Sequence, residues 1–189
     1  MIMLLVENQT ETVQPLTEST EDGKKKTYLS GVFMEAETKN RNGRQYQLQE
    51  MQREVDRIQT AAQNGQHVLG ECDHPQSLEI SLKNVSHKIT EMRMQGNQAI
   101  GKAEILESTQ AGAVLKGLVD SGVQVGVSSR GKGSVNQKGI VENFELVTID
   151  AVAVPSAHNA YPTSIMESLE MYKRQGIITD LAEAVMHDQ

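Results

Sequence analysis

The sequence predicts an α+β fold built on a mostly antiparallel sheet. Three observations carry that reading: apolar and polar residues alternate with period two from Val85 to Met92, apolar residues recur at spacings of three and four from Leu48 to Ala62, and turn formers separate the periodic runs. At 189 residues the length suits one domain with short tails. Hydrophobic residues make up 38% and aromatic residues only 3%, so the core must come from Val, Ile, Leu, Ala and Met.

Residues 7–27 are polar and end in Lys24-Lys25-Lys26; such a composition buries too little apolar area to offset ordering, and residues 1–27 are expected to form a flexible arm. A first strand is predicted at residues 28–34. Asn40-Arg41-Asn42-Gly43-Arg44 is a turn, because Asn and Gly tolerate positive φ. Leu48, Met51, Val55, Ile58 and Ala62 share one helix face, and Asn64-Gly65 would end that helix. Residues 85–92 and 99–106 form a hairpin across Gln95-Gly96-Asn97. A helix follows at 110–120, stopping at Ser121-Gly122. Residues 123–129 read as a strand, 131–139 as a glycine-rich loop, and 140–154 as one or two further strands before Pro155. Ser164 and Glu167 form a capping-box pattern for the first of two C-terminal helices within 163–186.

Composition also excludes function classes. The net charge of −7 opposes nucleic acid as the main ligand, since phosphate binding needs a basic face. A single cysteine, Cys72, excludes an internal disulfide and a multi-cysteine zinc site, and fits a reducing compartment. The leading apolar run, residues 1–6, is too short for a signal peptide or a membrane span. These features point to the cytosol.

Three constellations could carry chemistry. His74, in Gly70-Glu71-Cys72-Asp73-His74-Pro75, sits where an apolar strand runs into a polar turn, a place from which imidazole can exchange protons. In Gly126-Val127-Ser128-Ser129-Arg130-Gly131, a serine at the end of an apolar strand can present its hydroxyl beside free backbone N–H groups. Asp150 is an acid within the apolar run 146–154, and a buried acid needs a partner. The plain alternatives are an inert loop histidine and an ordinary strand-to-turn junction. Cys72 and His74 are too few for zinc, and Gly131-Lys132-Gly133-Ser134 lacks the phosphate-loop spacing. Neither a metal nor a cofactor is expected.

Taken in order, Asn42-Gly43-Arg44 with Tyr46, Gly70-Glu71-x-Asp73-His74-Pro75, Val85-Ser86-His87-Lys88-Ile89, Gly126-Val127-Ser128-Ser129-Arg130-Gly131, and residues 144–150 with Val154-Pro155-Ser156 resemble the prohead core proteases of large tailed bacteriophages. That family is similar to the herpesvirus maturational protease, assemblin. The resemblance spans residues 28–160 and implies a barrel-like core flanked by helices, with residues 28–162 as the protease domain and 163–189 packed on it or at a dimer interface. It implies His74 as general base and Ser129, in Ser129-Arg130-Gly131, as nucleophile. Ser128 would point to the opposite face of its strand.

The third member varies in such enzymes; Asp150 is the natural substitute, with Glu145 in reserve and His87 more suited to a structural role. Oxyanion donors would come from backbone amides near Arg130 and Gly131 or from the loop at 156–159, with Arg130 adding positive charge. The resemblance further implies a serine endopeptidase of the host cytoplasm and immature phage head. Its substrates would be scaffold, core and capsid proteins, cut after Glu in Leu/Ile-x-Glu contexts. A homo-oligomer fits, with no nucleic acid or membrane partner. Leu5-Val6-Glu7 and Leu16-Thr17-Glu18, in the polar arm, are then sites for self-cleavage. A non-catalytic scaffold protein of the same fold is the alternative, and a metal-dependent hydrolase using Cys72 and His74 a third.

Overall fold

A computed structural model describes residues 1–9, 13–73 and 75–153, all within a compact unit spanning Met1–Val154. His74 and the helices expected at 163–186 lie outside the described residues. Among the described residues nine strands and two helices follow in order: β1 (Met3–Asn8), β2 (Gln14–Ser19), β3 (Lys25–Glu35), β4 (Gln45–Tyr46), α1 (Leu48–Gln63), β5 (Leu69–Glu71), β6 (Val85–Gln95), β7 (Gln98–Ile105), α2 (Gln110–Asp120), β8 (Val125–Val135) and β9 (Ile140–Ala153).

The helices follow their sequence signals. On α1, Met51, Val55, Ile58 and Ala62 form the buried face, and the helix ends at Asn64 with Gly65 at φ +74°, a left-handed residue past the C-cap that glycine adopts without strain. Helix α2 begins at Thr109, whose hydroxyl accepts a hydrogen bond from Gly112 N at 2.9 Å. The β6–β7 hairpin turns at Gly96, again left-handed at φ +61°.

Two sheets pack around the core, one ordered β1-β8-β9-β4 and the other β2-β3-β7-β6-β5. Val127 and Ile149 of the first sheet join Leu29, Phe33 and Ile89 of the second in one apolar cluster, with α1 supplying Met51 and Ile58. The barrel-like closure expected from sequence is not formed; both sheets are open. A barrel needs a continuous ladder, and among the described residues the sheets share only the single bridge Cys72–Ala151. Edge strand β2 carries Pro15, which has no N–H to extend a ladder.

Two further differences from the sequence reading bear on function. The supposed flexible arm holds β1 and β2, paired with β8 and β3. Backbone pairing is indifferent to side-chain polarity, and Leu5 and Val13 anchor the stretch at 1% and 4% exposure. The glycine-rich segment from 131 is likewise strand, not loop, as far as Val135; only Asn136 to Gly139 turn. A Cβ on Gly131 would stand 2.6 Å from the Glu145 carbonyl oxygen, so glycine here permits close strand approach.

Gly101 of β7 offers a direct test of the packing. A Cβ there would fall 2.1 Å from the ring of buried Phe33, so Gly101→Ala is expected to lower stability by about 1–3 kcal/mol in urea unfolding. Gly117, exposed within α2 with nothing within 4 Å of its Cβ position, should respond oppositely, Gly117→Ala gaining about 0.5–1 kcal/mol.

Candidate active site

Strand alternation gives β8 two chemically different faces. Val125, Val127, Ser129 and Gly131 occupy one, Gly126, Ser128 and Arg130 the other. Glu7 of β1 and Ile149 of β9 stand opposite Ser129, whereas Asn8 and Asp150 stand opposite Ser128. Directly paired residues project to the same side of a sheet. Ser129 and Asp150 therefore project to opposite sides, and the structure does not bring the expected pair together. The reason is register: Asp150 is aligned with Ser128.

On the Ser129 side lies a cavity of about 180 Å³, lined by Ser129, Glu7, Phe33, Met34 and Tyr46 among others. Glu7 is buried beside it, and three side chains from the segment before α1 hold its carboxylate. Tyr46 Oη donates to Oε1 at 2.9 Å, Arg44 Nη1 to Oε1 at 3.1 Å, and Asn42 Nδ2 to Oε2 at 2.6 Å. The Asn40 carboxamide oxygen shapes this segment by accepting from the backbone N–H of Asn42 and of Arg44, an Asx turn. Tyr46 is fixed edge-on against Phe144, ring centres 4.8 Å apart. Burial pushes the Glu7 carboxyl above its ordinary range, opposed by the charge of Arg44 and by the hydrogen bonds.

On the other side, Arg130 is wholly buried and its five N–H groups meet five acceptors. Nε donates to Asp150 Oδ2 at 2.9 Å and Nη2 to Asp150 Oδ1 at 3.0 Å and to Glu71 Oε2. Nη1 donates to the carbonyls of Ser77 at 2.6 Å and Glu79 at 3.4 Å. Asp150 also accepts from Glu71 N at 3.1 Å, and Glu71 Oε1 accepts from Ser81 N at 3.0 Å. Burial raises the Asp150 carboxyl even against the guanidinium. Beside this network the Ser128 hydroxyl is buried and has no hydrogen-bond partner among the described residues.

The chain on both sides of His74 is pinned to these strands. Cys72 bridges to Ala151, Asp73 N donates to the Ala151 carbonyl at 2.9 Å with φ +67°, and the carbonyls of Ser77 and Glu79 rest on Arg130. His87 has both ring nitrogens engaged. Nε2 donates to the Ile149 carbonyl at 2.8 Å, and Nδ1 accepts from the Ser86 hydroxyl at 2.8 Å, the structural role that sequence favoured. Glu145, the reserve acid, is half exposed and paired with Lys132 at 3.0 Å. Cys72 is half buried, its thiol pushed up chiefly by that burial.

Sequence reasoning offered Arg130 only as an oxyanion aid. Two acids in apolar surroundings, Glu71 and Asp150, were the available signal that a buried cation had to lie between them. Asn42, Arg44 and Tyr46 were noticed as a motif, but their common target lies 35 to 39 residues away along the chain.

Arg130→Met leaves two buried carboxylates without a counter-charge and is expected to lower unfolding free energy by about 3–5 kcal/mol. His87 sets an acid limit. Burial lowers its pKa to about 4 from 6.5, so between those values the unfolded chain binds a proton that the folded chain does not. The resulting stability is present above pH 6.5 and lost as pH falls toward 4, about 3 kcal/mol in all. Urea titrations across that window should show this slope in the wild type and its absence in His87→Gln.

Three comparisons agree with one another. A family described as "Prohead core protein serine protease" matches residues 6–170. The prohead core protein protease of Enterobacteria phage T4 is 33% identical over 150 residues, covering 75% of this chain and 71% of that protein. The solved structure of the bacteriophage T4 capsid assembly protease superposes with a TM-score of 0.75 at 29% identity, covering 82% of this chain and 99% of the T4 chain. With most of its length matched and the fold shared, the chain belongs to the prohead core protein serine protease family.

Proposed function

We propose that this chain is a serine endopeptidase of phage head maturation, cutting scaffold, core and capsid proteins, and itself, after Glu in Leu/Ile-x-Glu contexts. The observation that carries the reading is the position of Ser129, on a strand fixed at both edges and lining a cavity beside a buried glutamate. His74 removes the Ser129 Oγ proton, and the oxygen adds to the substrate carbonyl. The C–N bond then breaks as His74 returns the proton to the leaving amine, and water hydrolyses the ester with His74 again as base.

Asp150 serves this pair indirectly. It holds Arg130, and Arg130 holds the carbonyls of Ser77 and Glu79 in the segment that follows His74. Asp150 is thus a positioning residue for the loop that carries the base. A second reading has one observation in its favour: Ser128 shares the Asp150 side and its buried hydroxyl has no partner among the described residues, which would make Ser128 the nucleophile.

Cleavage of a Leu-x-Glu peptide decides between the serines. Ser129→Ala is expected to lower kcat by at least about 10⁴-fold and Ser128→Ala by far less; the reverse order would transfer the role to Ser128. Asp150→Asn should reduce kcat and displace the pH profile while KM stays nearly constant. Self-cleavage predicts new N-termini at Asn8 or Ser19 in mass spectra of the wild type and none in Ser129→Ala.

A further inference from the structure

Four features of the β1–β8 pairing coincide. Leu5 and Glu7 lie two residues apart on one face of β1 and stand opposite Gly131 and Ser129. Leu5, 1% exposed, fills space that Gly133 of β8 leaves open; a Cβ on Gly133 would come within 3.1 Å of its Cδ1. Glu7 is read by three donors, one of them the cation Arg44. Asn42 Nδ2 also donates to the Val6 carbonyl at 3.1 Å, so the same side chain reads the backbone one residue earlier.

We propose that β1 occupies the substrate position of this protein: the edge of β8 takes an extended peptide, Gly133 makes room for a leucine or isoleucine, and Asn42, Arg44 and Tyr46 bind the glutamate two residues on. The inference rests on the endopeptidase reading and supplies its specificity. A strand repeats its facing every second residue, so Leu-x-Glu is the spacing that a slot and a clamp on one face of β8 select. Recognition is by strand addition, with main-chain hydrogen bonds giving affinity and alternate side chains giving selectivity. The pairing of Ser129 with Glu7 places the serine strand position opposite the residue after which the chain would be cut. Leu5-Val6-Glu7 fills the seat in cis, so a substrate in trans must displace it.

The clamp chemistry fits a carboxylate and not its amide. Arg44 and Tyr46 both donate to Oε1; a glutamine keeps one acceptor oxygen but turns an NH₂ toward Asn42 Nδ2 or toward Arg44. The first orientation sets the NH₂ against Asn42 Nδ2 and the second against Arg44 and Tyr46, and in either a charge-assisted contact is lost.

Binding measured without catalysis tests this. In the full chain carrying Ser129→Ala, anisotropy of a fluorescein-labelled peptide copying residues 3–11 reports occupancy of the seat. Adding Glu7→Ala should tighten binding at least about tenfold by emptying the clamp, and replacing the peptide's glutamate by glutamine should weaken it about tenfold. Asn42→Asp, at an exposed turn and confirmed folded by its melting curve, should abolish the preference for glutamate by setting a carboxylate against it. No binding, equal binding with and without Glu7, or equal binding of the Glu and Gln peptides by the emptied chain would each overturn the inference. The endopeptidase reading fails separately, through undiminished cleavage by both Ser129→Ala and Ser128→Ala.

Discussion

The fully buried guanidinium of Arg130 is the constraint on which the rest of the described structure depends. It draws Glu71 of β5, Asp150 of β9 and two carbonyls of the 77–79 segment onto one strand. Each of its five N–H groups has an acceptor, and that completeness is what makes burial of the charge tolerable. Burial is the main cause of the upward push on the Asp150 carboxyl, which the guanidinium opposes. The second sheet begins at β5, so the same cation ties the two open sheets together close to the Cys72–Ala151 bridge.

Because β8 alternates, fixing Arg130 on one side fixes Ser129 on the other. The strand thus carries a charged network on one side and, on the other, a cavity lined by Ser129, Glu7, Phe33, Met34 and Tyr46 together with polar residues such as Thr38 and Asn40. In the proposed mechanism work is divided accordingly: Asp150, Glu71 and Arg130 set position, and the Ser129 face presents the hydroxyl. An acid already bonded twice by Arg130 and once by Glu71 N has little left to offer an imidazole.

What sequence revealed and what it missed divide along physical lines. Local periodicity located α1, α2 and the β6–β7 hairpin, because each is specified by neighbours within a turn or two: Ile58 by its spacing from Met51 and Val55, Gly96 by its tolerance of positive φ. Composition misjudged β1 and the stretch after Gly131 because both are ordered by partners remote in the chain. Leu5 is one apolar anchor in polar surroundings, and the glycines of β8 serve close packing in a strand, which in sequence resembles a loop. The candidate triad was legible as residue types and order, but not as facing. Whether Asp150 meets Ser128 or Ser129 depends on a register that one shift would invert, and β8 and β9 carry irregularities between Arg130 and Gly131 and between Lys132 and Ser134.

The position of β1 joins the fold to the chemistry. An edge strand exposes unpaired backbone groups and invites addition of another chain; here that edge lies next to Ser129 and is covered by six residues of the protein itself. A six-residue strand whose buried side chains are Leu5 and the clamped Glu7 is easier to exchange than a long apolar one, and exchange preserves the ladder because an incoming peptide makes the same main-chain bonds. Burial pushes the Glu7 carboxyl up, and Arg44 with the hydrogen bonds opposes it. An extended substrate with the same Leu-x-Glu period meets the same desolvation but brings contacts beyond the six residues of β1. Competition between the two is then set by length and local concentration, and a crowded assembly that presents many such segments would shift it toward the substrate.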